Sequence, residues 1–109
     1  MVLSEQNIRD IEIVEAQVCS FFNIPADTLY SVNTSKNESL ARAYLFYILH
    51  VDLGISIKCI YERYNRQERG VYYAISKIRY SIEHFKSCKK EYDEITNRLN
   101  ERRKALGFP

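Results

Sequence analysis

Residues 56–86 read SIKCIYERYNRQERGVYYAISKIRYSIEHFK, and the spacing of their apolar side chains decides the fold. Ile57, Ile60, Tyr61 and Tyr64 recur at the three- and four-residue intervals of one helical face, while Lys58, Glu62 and Arg63 point away from it. The spacing predicts a helix of about two turns. Beyond it, Val71, Ala74, Ile75, Ile78, Ile82 and Phe85 form an unbroken apolar stripe, and Arg69, Tyr73, Ser76, Lys77 and Tyr80 fall opposite. One face of this longer helix is core, and the other is basic, aromatic and small. Asn65 and Arg66 lie in the polar turn between the two helices.

Working outward, Ile8, Ile11, Val14, Val18, Phe21 and Phe22 make one stripe over residues 5–22, with Ser4 as N-cap and Asn23 as stop. Pro25 opens one further short helical turn, and residues 31–37, SVNTSKN, read as a loop that includes Lys36. Residues 38–51 are apolar nearly all round, with Arg42 and His50 the strongly polar positions, so this helix belongs in the centre of a bundle. Gly54 is placed as a C-cap, Ser56 as the next N-cap, and Ser87 as the cap of a last helix over 87–106 that turns Tyr92, Ile95 and Leu99 inward. Residues 107–109 are expected to fray.

The expectation is an all-α chain: one domain over residues 1–109, a compact bundle of about five to six helices. Three glycines and two prolines leave few strand boundaries, and apolar residues recur at helical spacing. Neither an apolar run of membrane-spanning length nor a leader pattern occurs, which points to a cytoplasmic protein without a membrane partner. Cys19, Cys59 and Cys88 are odd in number and sit beside helical apolar patterns, so they read as free thiols. His84 and Cys88 are four apart, half of a zinc site without a second half, and no metal or other cofactor is expected.

The net charge of +2 is unevenly spread. Residues 1–57 carry three Lys and Arg against seven acids, giving −4, while residues 58–109 carry thirteen against seven, giving +6. The basic half contains the helix pair at 56–86, and phosphate contacts dominate non-specific affinity for nucleic acid. A short helix, a turn and a second helix with positive charge at its tip is the layout of a helix-turn-helix, although an αα-hairpin in any helical bundle shares it. Part of the basic excess, Arg102, Arg103 and Lys104, also suits the C-terminal end of a helix dipole.

Together these segments resemble the C-terminal DNA-binding domain of the bacterial replication initiator DnaA, a Trp-repressor-like helix-turn-helix domain, over roughly residues 8–99. That family opens its recognition helix with Arg-Asp-His-Ser/Thr-Thr-Val, then an alanine three residues on and a Lys-Ile pair. Here the run is Arg66-Gln67-Glu68-Arg69-Gly70-Val71, followed by Ala74 and Lys77-Ile78. Phe22, Ile24, Leu29, Ala41-Arg42 and Leu45 match upstream. Gln67 and Glu68 stand where the family has Asp and His, and Arg69 and Gly70 replace its hydroxyl pair, so only Arg66 carries over as a base contact. The family's basic loop, which sends an arginine into the minor groove, is represented here by Lys36 alone. The chain contains no GxxxxGK[ST] phosphate loop, so the resemblance implies a stand-alone DNA-binding protein of a bacterium, mobile element or phage, tied to replication or transcription, rather than a complete initiator.

On this reading double-stranded DNA is the partner. Arg66 and Arg69 meet base edges with Gln67 and Gly70 beside them, Lys58, Arg63, Tyr73 and Lys77 hold the backbone, and Lys36 stands at the minor-groove loop. Glu68 either complements the helix dipole or accepts from cytosine. A single recognition helix binds weakly, so a homodimer or a protein partner is expected to complete the interface. The alternative is a protein-interaction module on a former DNA-binding fold, supported by Tyr72, Tyr73 and Tyr80 lying off the core stripe. An enzyme with a small-molecule substrate is the least supported class, because no nucleophile, metal or phosphate-loop spacing occurs.

Overall fold

In a computed structural model, which describes residues 3–30 and 36–107, the chain is a bundle of five α-helices. The first, α1 (Glu5–Phe22), starts where Ser4 Oγ accepts the Asn7 backbone N–H at 3.1 Å, and stops at Asn23, whose left-handed φ of 54° lets its N–H reach back to the Cys19 and Ser20 carbonyls. A 3-10 turn (Ala26–Tyr30) follows Pro25 and buries Leu29. Next comes α2 (Lys36–Tyr47), which begins earlier than its apolar pattern: Lys36 and Asn37 are helical rather than part of a loop. The rest of the expected loop, residues 31–35, lies outside the described residues, as do residues 108–109 of the expected tail.

The end of α2 widens into a π-helical turn (Ile48–Asp52), in which the Leu53 N–H donates five residues back to Ile48. His50 Nδ1 bonds the Ile55 carbonyl at 2.8 Å, which satisfies an acceptor beyond the helix end. Gly54 takes φ 72°, the left-handed value that reverses the chain, and Ser56 then caps α3 (Ile57–Arg63) by accepting from the Cys59 N–H at 3.2 Å. Four residues connect α3 to α4 (Glu68–His84), with Asn65 in the left-handed region and the Arg66 N–H donating to the Tyr61 carbonyl at 2.9 Å.

The junction after α4 departs from the sequence pattern. The stripe was expected to run unbroken to Phe85 and the last helix to start at Ser87, but Phe85 leaves helical geometry at φ −120°, ψ 121° and is itself the N-cap of α5 (Lys86–Ala105). The chain turns a corner in one residue, so the Phe85 ring is left 53% exposed while Val71, Ile75, Ile78 and Ile82 stay in the core. The same corner puts His84 and Cys88 on different helices, which removes the shared face expected of them.

The core sits around α2. Tyr44 and Leu45 of α2 and Ile48 and Leu49 of the π-helical turn are fully buried in one cluster with residues from all five helices. α2 packs against α1 and most extensively against α4, and α5 closes the bundle by lying on both α1 and α4. Arg103 reaches Asp10 at 3.5 Å, and the Arg98 guanidinium sits over the Phe21 ring at 5.3 Å, fastening the last helix to the first. A radius of gyration of 13.1 Å is that of a compact chain of this length, for which about 13 Å is expected. Cys19, Cys59 and Cys88 are free thiols, the first two buried, and burial raises the Cys19 thiol above its usual range. Among the described residues no helix is long and apolar enough to cross a membrane.

Candidate nucleic-acid interface

The close packing of α2 on α4 leaves a groove of about 680 Å³ at one end of the pair. Six of the residues singled out in the sequence line it: Lys36 from the first turn of α2, Arg66 and Gln67 from the α3–α4 connection, and Gly70, Tyr73 and Lys77 from α4. Leu40, Ala43, Phe46, Ala74 and Ile78 form its apolar floor, and no acid is among its lining residues. Gly70 has nothing within 4 Å of the place a Cβ would occupy, so at this point the groove is open to whatever approaches α4.

Each wall is positioned by ordinary helix physics. The burial of Val71, Ile75 and Ile78 fixes the rotation of α4, and at 100° per residue this turns Arg69, Tyr73 and Lys77 outward. Tyr73 is 67% exposed, and the Lys77 ammonium lies 5.8 Å from its ring centre, an aromatic and a cation held as a pair. Glu68 occupies the first position of α4, where its carboxylate complements the positive end of the helix dipole.

At the bottom of the groove lies Arg42, 7% exposed, with Nη1 donating to the Thr28 carbonyl at 3.0 Å. Burial lowers its pKa from the usual value and the nearby Arg66 lowers it further, with Glu38 acting in the opposite sense. Two guanidiniums therefore share the groove, with the Glu38 carboxylate acting on the buried one. Arg42 was legible as a polar position on a buried helix but not as a groove residue. The signal was there: a lone arginine on a helix buried all round must either find a carbonyl or reach a cleft.

The remaining expected contacts are elsewhere. Arg69 and Lys58 are exposed, outside the groove lining. Arg63, expected to hold a phosphate, is partly buried, and its guanidinium lies 3.7 Å from Glu15. Tyr30 and Tyr64 both donate to Glu15 Oε2, at 2.5 and 2.6 Å, and their rings stack with centroids 5.0 Å apart. Burial and then the neighbouring Glu15 push the Tyr30 phenol up to about 12 and the fully buried Tyr64 phenol further in the same direction. Burial would lower the Arg63 guanidinium, but Glu15 and the two tyrosines carry it above its usual range. Its charge is already neutralised inside the fold.

No protein-family model matches the chain, and no curated protein matches its sequence. The groove itself is the basis for a functional reading.

Proposed function

We propose that the chain binds double-stranded DNA, using α3 and α4 as a helix-turn-helix with the N-terminal end of α4 directed into the major groove. The single observation that supports this is the convergence of Lys36, Arg66 and Lys77 on one groove. Cations gathered at an open surface attract a polyanion. In this reading Arg66 meets a base edge, where a guanidinium pairs bidentately with guanine, and Gln67 and Arg69 flank it at the tip. Lys36, Lys58 and Lys77 hold phosphates, and Tyr73 packs against the sugar-phosphate backbone. The exposed Gly70 lets the strand approach the helix closely. The resemblance to the DnaA DNA-binding domain supports the same assignment and suggests the initiator box as one target to try.

Fluorescence anisotropy on a random duplex and on a duplex carrying the initiator-box sequence, each at low and moderate salt, tests the proposal. Three phosphate-bound lysines predict that log K falls against log salt with a slope of about −3. Arg66→Ala should cost about 1–3 kcal/mol and flatten any preference between the duplexes. Absence of binding to either duplex at low salt sinks the reading.

A second reading, a surface for a protein partner, draws on Tyr72, Tyr73 and Tyr80, exposed at 51, 67 and 57%. It separates from the first on salt, since an aromatic interface does not weaken steeply as ionic strength rises.

A further inference from the structure

The groove runs along α4 as far as Ser81 but leaves out the exposed rings at the end of the helix. On the wheel of α4, Arg69, Tyr73, Ser76, Lys77, Tyr80 and His84 fall within an arc of about 100°, so one line of side chains runs the length of the helix from its tip. Tyr73, Ser76, Lys77, Tyr80, Ser81 and Phe85 border a shallow depression that shares Tyr73, Lys77 and Ser81 with the groove. The two surfaces are therefore continuous.

The aromatic rings at the far end are held in place but uncovered. Tyr80 stacks on His84 with centroids 4.0 Å apart and planes at 18°, and His84 is fixed by its Nδ1 bond to the Tyr80 carbonyl at 2.9 Å. Phe85 meets the Tyr80 ring edge-on at 6.3 Å because the corner between α4 and α5 throws it outward. Tyr80 is nevertheless 57% exposed, so the ring is braced on one side and open on the other. An exposed stack that stays apolar on a surface with cations and no acid in its lining matches the chemistry of a nucleobase. A π-face offers stacking to any base, and Lys77 between the rings offers charge to the phosphates. Glu83 lies about 60° round the helix from Tyr80.

We infer that this outward face of α4 is a track for an unpaired DNA strand: the strand leaves the duplex held at the tip, passes Lys77, and stacks bases on Tyr73 and on the braced Tyr80. The inference rests on the duplex-binding reading and adds a substrate class to it, the junction between double- and single-stranded DNA. Tyr73 and Tyr80 are about 10 Å apart along the helix axis, the length of roughly three stacked nucleotides.

The test is anisotropy with one labelled duplex in three forms: blunt, with a 3′ thymidine overhang, and with a 5′ thymidine overhang of about six nucleotides. One overhang polarity should bind roughly tenfold tighter than the blunt form at the same salt. Tyr80→Ala, at an exposed site outside the groove, should abolish that gain while leaving blunt-duplex affinity and helical content unchanged, and Tyr80→Phe should retain it. The chain has nine tyrosines and no tryptophan, so quenching of tyrosine emission by the overhang, lost in Tyr80→Ala, reports the stacking directly. A blunt duplex that binds as well as both overhang forms overturns the inference and leaves duplex binding standing. An overhang gain that survives Tyr80→Ala also overturns it. Failure of all three forms to bind at low salt removes both.

Discussion

The arginine that ends α3 and the cations gathered beyond it have different settings. On one side Arg63 is enclosed with Glu15, Tyr30 and Tyr64, a carboxylate taking two phenol hydrogens while its other oxygen faces the guanidinium. On the other side Lys36, Arg66 and Lys77 face one another across a groove whose lining holds no acid, with Arg42 buried beneath. The first site pairs its cation inside the fold and contributes to stability. The second gathers three cations on a groove open to an approaching ligand. Counting cations along the chain treats them alike, although their packing differs and only charge gathered at an open surface can steer a partner.

The contrast breaks most visibly at Glu15. Glu15→Ala leaves two phenol hydroxyls and a guanidinium without their acceptor in a largely buried site, so urea unfolding should show a loss of about 2–4 kcal/mol. DNA affinity should not change, and a stability loss below about 0.5 kcal/mol would mean that water replaces the carboxylate. A smaller effect sharpens the other side. Lys77→Ala should reduce the salt slope of DNA binding by about one, whereas Arg63→Ala should leave the slope as it is; a slope change at Arg63 would mean that its pair with Glu15 opens. Smallest is the pH effect. A phenol whose folded pKa is raised to about 12 from an ordinary 10 stays protonated in the fold while the unfolded chain loses its proton. Its contribution is whole below about pH 10 and fades as pH rises toward 12, so thermal melting should show Tm falling across that window and falling less in Tyr30→Phe.

The parts of the fold read correctly from sequence are those that a few neighbouring residues decide. Ser4 and Ser56 cap helices through bonds three residues long, and Asn23 and Gly54 mark reversals because left-handed backbone suits those residues. The inward face of α4 followed equally from spacing. Errors arose where distant parts meet. Phe85 continued the stripe on the wheel, but periodicity carries no information about where a neighbouring helix forces the chain to turn. Arg63 leaves its own helix on the polar side, as expected, and there meets Glu15 of α1, far away in the chain. Glu15 lies within about 40° of Ile11 on its own wheel, so an acid beside a core stripe was the available hint. The same limit applies to the interface: spacing placed Gly70, Tyr73 and Lys77 on one face, but only the packing of α2 against α4 brought Lys36 and the buried Arg42 to them.

The fastening of α5 to α1 has a consequence for how the protein is made. Arg103 grips Asp10 and Arg98 covers Phe21, so one flank of the first helix packs against the last. Ribosomes add about 5–20 residues per second, and the 20 residues of α5 therefore take about 1–4 s to appear after α1 to α4 are complete. During that interval the nascent chain carries an amphipathic helix with no mate for one flank. The bundle closes as a late event, after translation has passed the corner at Phe85.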